Sequence, residues 1–120
     1  MSHIVTVQTR LHDPAALAAA CQRLNLAAPE QGTAELFSGD ATGLIVRLPS
    51  WTYPVVIDTL TGMARFDNFG GRWGEQKELD RLMQAYAVEK CRIEARRRGH
   101  TVTEQQLSDG SVRLQILEGS

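Results

Sequence analysis

Hydrophobic and polar positions alternate with a period of two at the start of the chain and change to a helical period soon afterwards. The alternation over residues 4–11 predicts a half-buried strand. Asp13 and Pro14 then favour a helix start, because aspartate caps the free amides of the first turn and proline suits the first helical position. Apolar residues at helical spacing predict a helix over Ala15–Leu24, which ends before Pro29.

The centre of the chain is typical of short β-strands joined by tight turns. Four strands are predicted there, over Thr33–Phe37, Gly43–Leu48, Tyr53–Asp58 and Met63–Asn68. Pro54 cannot donate a hydrogen bond to a neighbouring strand. The strand that contains Pro54 is therefore expected to begin at a sheet edge.

A long amphipathic helix and a closing hairpin complete the pattern. Apolar residues recur along one face over Glu75–Arg98, which predicts the helix. Strands over Thr101–Leu107 and Val112–Leu117 flank Asp109-Gly110, a strong signal for a two-residue hairpin turn. In that register Leu107 lies on the same face as the apolar residues of the last strand.

The predicted element order is therefore β-α-β-β-β-β-α-β-β. Strands joined by hairpins, together with two helices, favour an α+β fold: a mainly antiparallel sheet with both helices on one face. The β-α-β-β order at both ends indicates a ferredoxin-like plan within one domain over residues 1–120. The other face of such a sheet needs cover, and a second subunit is a natural provider.

Composition narrows the class of protein without naming a reaction. The chain has 120 residues, of which 42% are hydrophobic and 22% are charged, as in a soluble domain. The net charge of −1 gives no overall attraction to nucleic acid or anionic lipid. No apolar run approaches the roughly 20 residues of a membrane helix. Cys21 and Cys91 fall in predicted helices and are expected to be reduced core residues in a cytoplasmic compartment.

The glycine-rich segment before the long helix is the first candidate site. Free amides at a helix N-terminus favour anions, so an anion-binding or small-ligand-binding enzyme would use Gly70, Gly71, Arg72 and Trp73 here. The spacing fits neither the P-loop nor the dinucleotide fingerprint. The pattern therefore favours a tight turn over residues 68–74, with Trp73 closing one end of the core.

Aromatic residues are concentrated in the middle of the chain. All of them except Phe37 lie between residues 51 and 86, which favours a core around the central hairpin and the long helix. A partly exposed patch in the same place would instead mark a protein interface. In that alternative, Phe69 and Trp73 are the predicted contact residues.

Arg96, Arg97 and Arg98 form the one basic cluster of the sequence. Cations in a last helical turn complement the helix dipole, and Gly99 is the expected left-handed stop. Helix termination is therefore sufficient to explain the run, and contact with an acidic protein surface or with nucleic acid is the alternative. The overall charge and the lack of interleaved aromatics disfavour nucleic acid.

No catalytic constellation or metal site emerges from the spacing of reactive residues. The three histidines and two cysteines show no metal-ligand pattern, and no serine lies in a nucleophile elbow. Asp58 and Asp67 flank a hairpin and are expected to be turn residues with solvent-facing side chains. No cofactor is implied. The sequence favours a non-enzymatic interaction module whose partner is another protein or a second copy.

Three segments together resemble a known family. They are Met1-Ser2-His3 followed by a strand and a helix, a central hairpin running through Trp73-Gly74 into Gln84-Ala85-Tyr86-Ala87, and the closing Asp109-Gly110-Ser111. This pattern resembles the uncharacterised hypothetical chloroplast reading-frame thirty-five family of plastids, cyanobacteria and other bacteria. Residues 68–72 depart from the more acidic and aromatic family pattern, and residues 27–49 match poorly. The resemblance implies no reaction, cofactor or catalytic residue; the frequent gene proximity to AAA-class ATPases implies an accessory role.

Overall fold

The α+β class and the predicted element order are both confirmed. A computed structural model describes residues 5–8, 10–109 and 112–117, and the side chains from residue 10 onwards. The elements in chain order are β1 (Val5–Gln8), α1 (Pro14–Arg23), β2 (Glu30–Leu36), β3 (Gly39–Val46), β4 (Val55–Asp58), β5 (Met63–Phe66), α2 (Gln76–Arg97), β6 (Thr101–Gln106) and β7 (Val112–Leu117). The described chain is elongated, with extents of 55 × 32 × 23 Å.

Five strands form one antiparallel sheet in the order β1-β5-β4-β3-β2. Strands β6 and β7 form a separate two-stranded sheet. The expectation that Pro54 marks a sheet edge is wrong, because β4 lies between β3 and β5. Pro54 directly precedes Val55, the first residue of β4, so the strand loses no ladder donor.

Both helices pack on one face of the five-stranded sheet, as predicted. The main core combines buried residues of α1, α2 and the central strands: Leu11, Ala16, Leu17, Ala20, Cys21, Val46, Leu48, Val55, Ile57, Ala64, Phe66, Leu79, Leu82, Ala85 and Tyr86. Burial raises the pKa of the Cys21 thiol. Cys91 is half-buried, and both cysteines are free.

The first helix begins where the sequence predicts. One carboxylate oxygen of Asp13 accepts the backbone N–H groups of Ala15 and Ala16 at 2.9 and 3.2 Å. The other oxygen accepts a hydrogen bond from the Lys90 ammonium at 3.1 Å. The Tyr86 hydroxyl accepts the N–H of Asp13 at 3.1 Å. The N-cap of α1 is therefore also its attachment to α2.

The opposite face of the sheet is partly buried by the protein's own β2–β3 hairpin. Ala34, Leu36 and Ala41 of this hairpin form a second buried cluster with Val56 of β4. Strand β3 approaches β4 closely at Gly43, where a Cβ atom would lie 2.4 Å from the Ile57 carbonyl oxygen. The apolar side chains of this cluster are therefore buried within the chain itself, and the expectation of a covering second subunit stays a prediction.

The β6–β7 hairpin differs in register from its prediction. Gln106 pairs with Val112, whereas a two-residue turn at Asp109-Gly110 would pair Leu107 with Val112. Leu107 follows the end of β6. Residues 110 and 111 lie outside the described chain.

An ionic cluster joins this hairpin to the helices. Glu104 of β6 accepts hydrogen bonds from Arg23 of α1 and Arg92 of α2, and Arg23 also pairs with Glu89 at 3.1 Å. None of the described residues of β6 and β7 belongs to either buried core cluster. Ion pairs and half-buried contacts therefore hold the hairpin in place.

Candidate functional site

Four aromatic rings meet at the tip of the β2–β3 hairpin. Trp73 is at their centre, with ring centroids 5.1 Å from Phe37, 5.5 Å from Tyr53 and 4.8 Å from Phe69. These separations are those of favourable aromatic pairs. We call Phe37, Tyr53, Phe69 and Trp73 the aromatic surface. Its outermost member, Phe37, is 57% exposed, and the other three rings are half-buried beside it, so the four form a contiguous aromatic patch.

The loop that carries Phe69 and Trp73 is held by a buried asparagine. The carbonyl oxygen of Asn68 accepts the N–H groups of Gly71 and Trp73, both at 3.0 Å. The side-chain amide of Asn68 donates to the Gly74 carbonyl at 3.3 Å. One residue therefore spans the loop and fixes the position of Trp73.

Three consecutive residues of this loop have left-handed backbone conformations. Phe69 has φ of 47°, Gly70 of 61° and Gly71 of 100°. Glycine tolerates this region, but a bulky side chain costs about 1–2 kcal/mol there. The Phe69 ring is nearly parallel to Trp73, with an interplanar angle of 24°. The predicted tight turn is confirmed, and its geometry holds Phe69 on the aromatic surface at a cost in strain.

Trp51 joins the loop to the main core. Its indole N–H donates to the Glu75 carbonyl at 3.1 Å, and its ring lies edge-on to Phe66 at 5.7 Å. The expectation that Trp73 closes one end of the core is wrong: Trp51 packs against the core, and Trp73 is half-buried on the aromatic surface. The sequence does not distinguish the two tryptophans, because both adjoin turn residues.

A buried carboxylate lies beside the aromatic surface. Asp67 is fully buried, and its Oδ2 is 3.5 Å from the Ser38 hydroxyl, while its Oδ1 has no hydrogen-bond partner. The expectation of a solvent-facing Asp67 is wrong, because the tip of the β2–β3 hairpin covers the end of β5. Asp58, in contrast, accepts the Leu60 N–H at 3.0 Å as a turn residue.

Arg72 lies at the outer edge of the same surface. Its side chain is exposed, and its guanidinium carbon is 5.3 Å from the centroid of the Phe69 ring. Gly70 and Gly71 are exposed next to it. The structure thus brings the predicted residues of the 68–74 segment together, with a cation on an aromatic ring.

The predicted arginine cluster is at the other end of α2. The helix has 22 residues and is about 33 Å long at 1.5 Å per residue, so this cluster is remote from the aromatic surface. Arg96, Arg97 and Arg98 are all exposed. Gly99 has φ of 73°, and the His100 N–H donates to the Ala95 carbonyl at 2.9 Å, which confirms the predicted helix stop.

Two open clefts adjoin α2. An apolar groove of about 480 Å³ is floored by Leu11, Met83 and Tyr86. A polar cleft of about 960 Å³ separates α2 from the β6–β7 hairpin. The cationic Arg23 and Lys77 of the polar cleft are already paired, with Glu104 and Glu75 respectively.

Some of the site was missed by sequence reasoning. Phe37, Tyr53 and Asp67 join Trp73 or its surroundings through contacts between segments that are distant in the sequence. The position of Phe37 in a short turn between two strands was the available signal. Within the described ranges, no group of three or more histidine, cysteine, aspartate or glutamate side chains is arranged to hold a metal ion.

Comparison with known proteins gives no further assignment. No protein-family model, no curated protein and no solved structure matches the chain. In the part of the chain that the structure describes, no helix is both long enough and apolar enough to cross a membrane.

Proposed function

We propose that this protein is a non-enzymatic interaction module that binds a protein partner through the aromatic surface. The observation that carries the proposal is the exposure of Phe37 on a cluster centred on Trp73. Aromatic residues provide most of the energy at many protein interfaces, because they bury a large rigid area at low entropic cost.

The loop geometry supports the proposal. Phe69 stays on the aromatic surface although its left-handed backbone is unfavourable for a phenylalanine. The loop is fixed from beneath by Asn68 and Trp51, so the rings are pre-organised before a partner arrives. Pre-organisation lowers the entropic cost of association.

The chemistry of the surface defines the partner. Phe37, Tyr53 and Trp73 offer apolar contact area, and exposed Arg72 supplies one positive charge at the rim. The partner is therefore a protein with an apolar protrusion and an acidic residue beside it. The resemblance described above suggests an AAA-class ATPase as a first partner to examine.

Substitution of exposed apolar residues tests the proposal. The full chain is immobilised and used to capture proteins from its native cell, and the captured proteins are identified and then purified. Phe37→Ala is expected to weaken binding of the purified partner at least tenfold. Leu60→Ala is the matched control, because Leu60 is 91% exposed on the β4–β5 turn.

The same variants also show which result would contradict binding through the aromatic surface. Phe37 is largely solvent-exposed, so its replacement is expected to leave the unfolding free energy nearly unchanged. Equal affinity of Phe37→Ala, Leu60→Ala and the unmodified chain for every captured partner would refute binding through the aromatic surface.

A further inference from the structure

The β6–β7 hairpin is an incomplete sheet in the described structure. Its two strands pair only with each other, so each has an unpaired outer edge. A two-stranded hairpin is marginally stable in water, whereas three or more strands with a shared apolar face are stable. Unpaired edges of this kind are templates for adding another strand.

Exposed apolar side chains are concentrated on one of these strands. Ile116 and Leu117 are 45% and 49% exposed, and both belong to β7. Val112, Leu114 and Ile116 lie on one face of the hairpin. The register pairs them with Gln106, Glu104 and Val102 of β6, and Glu104 contacts Arg92 of α2 from this same face. Strand β7 therefore combines a free edge with an apolar stripe that the protein covers only in part.

The two edges differ in how well they pair with their own copy. When two copies of one strand pair antiparallel about a two-fold axis perpendicular to the sheet, the axis lies midway between the strands. One residue beside the axis then pairs with the same residue of the second copy. For β7 an axis at Leu114 places Val112 opposite Ile116 of the second copy. Arg113 then faces Gln115 of the second copy, so this pairing contains no like-charge contact.

Pairing along β6 is unfavourable by comparison. On the face of β6 that contacts α2, Glu104 is the central residue. A two-fold axis beside Glu104 would pair it with Glu104 of the second copy, and like charges directly opposite each other are destabilising. Glu104 is also occupied by Arg23 and Arg92 within the chain. Charge and apolar pattern thus both select the β7 edge.

We propose that two copies of this chain associate through their β7 strands into one continuous four-stranded sheet. The two-fold axis passes beside Leu114, and the apolar stripes of both copies join across it. This association goes beyond the proposed function, because it uses the free edge of β7 and none of the aromatic surface. The dimer leaves both copies of Phe37 available to another protein.

Cysteine cross-linking tests the register. Directly opposed residues of an antiparallel pair have Cβ atoms about 4.5–5.5 Å apart, which is close enough for a disulfide after small adjustments. Leu114→Cys, made with Cys91→Ser, is expected to give a disulfide-linked dimer under mild oxidation. Thr103→Cys in the same background is the control, because Thr103 lies on the exposed face of β6. After the same oxidation time this variant is expected to run as a monomer on a gel without reducing agent.

Sedimentation of the full chain over a range of concentrations measures the association itself. A monomer–dimer equilibrium is expected, and Ile116→Lys is expected to weaken it at least tenfold, because it places a charge in the joined apolar stripe. Thr103→Lys, an equal charge on the exposed face of β6 and opposite the uncharged Gln115, is expected to leave the equilibrium unchanged. Circular dichroism establishes that both variants are folded.

Three results would overturn the proposal: a monomer at every concentration, a dimer that Ile116→Lys does not weaken, or faster cross-linking through Thr103→Cys than through Leu114→Cys. Phe37→Ala separates this association from the proposed function. That substitution removes a contact of the aromatic surface and is expected to leave the dimer unchanged. Partner binding by Phe37→Ala as tight as that of the unmodified chain would contradict the proposed function alone, whereas a monomer at every concentration would contradict this association alone.

Discussion

The indole ring of Trp51 lies directly over Gly74, so close that a Cβ atom on Gly74 would be 2.3 Å from the ring. Gly74 is the last residue of the loop over residues 68–74, which carries Phe69 and Trp73, and Trp51 precedes β4. This contact seats the loop against the main core. The position of the aromatic surface therefore depends on the absence of a side chain at residue 74.

Replacement of Gly74 tests this dependence. Gly74→Ala is expected to lower the unfolding free energy by about 1–3 kcal/mol, because the added methyl group must displace a packed indole. Gly32→Ala is the matched control: its Cβ would lie 3.4 Å from Ile45, an ordinary contact. Urea denaturation measures both. A loss for Gly74→Ala no larger than that for Gly32→Ala would contradict the close packing.

The buried carboxylate of Asp67 gives a second prediction. Asp67→Asn replaces a buried carboxyl group, whose Oδ1 has no hydrogen-bond partner, with a neutral amide of nearly the same shape. A buried unsatisfied polar group costs about 1–3 kcal/mol, and more when it is charged, so the variant is expected to be more stable. Asp58→Asn, on an exposed turn, is the control and is expected to change stability little.

Thermal and urea unfolding distinguish the outcomes for Asp67. A higher midpoint for Asp67→Asn than for the unmodified chain is expected, and a lower one would show that the carboxylate stabilises the fold. Unchanged or increased stability together with weaker partner binding would indicate that the carboxylate contributes to binding at the adjacent aromatic surface and not to stability.

The sequence predicts local structure well here because capping and spacing are local. Asp13 and Gly99 mark a helix start and a helix stop through contacts within a few residues. Ion pairs along α2 are less well determined by the sequence, because several partners lie within reach on one helix. Glu94 stands four residues before Arg98, a favourable spacing for a helical ion pair, yet it pairs with Lys90 at 2.9 Å and with Arg97 at 3.7 Å.

Contacts between distant segments were not predictable from the same rules. The buried Asp67 has its carboxylate 3.5 Å from the hydroxyl of Ser38, at the tip of the β2–β3 hairpin. Nothing in the alternation of the hairpin specifies this contact or the close approach of Gly43 to the Ile57 carbonyl. The aromatic surface was therefore predicted in part, through Phe69 and Trp73, while Phe37 was left outside it.

The Tyr86 hydroxyl provides a test of the joint between the helices. It donates to the Arg10 carbonyl at 3.2 Å and accepts the Asp13 N–H at 3.1 Å. Tyr86→Phe leaves both backbone groups without this partner and is expected to cost about 1–3 kcal/mol. Tyr53→Phe is the control. A Tyr86→Phe variant as stable as Tyr53→Phe would contradict the role of the hydroxyl at the start of α1.

The attachment of the β6–β7 hairpin is expected to weaken in acid. The hydrogen bond from Arg23, opposed in part by burial, lowers the pKa of Glu104 below its ordinary value of 4.5. A carboxylate with a lowered folded-state pKa stabilises the fold above its unfolded pKa. That contribution is lost as the pH falls from about 4.5 through the folded-state pKa.

Hydrogen exchange of the β6 and β7 amides at a series of pH values between about 7 and 2.5 measures this attachment, after correction for the intrinsic exchange rate. Protection of the hairpin is expected to fall below about pH 4.5, before protection of the five-stranded sheet, because the ion pairs of Glu104 hold a hairpin that lies outside both core clusters. Glu104→Gln is expected to lower protection at neutral pH and to remove the specific loss in acid. Glu35→Gln, at an exposed position of β2, is the matched control and is expected to preserve both. An acid profile of the hairpin that is the same in Glu104→Gln and Glu35→Gln would rule out Glu104 as the attachment.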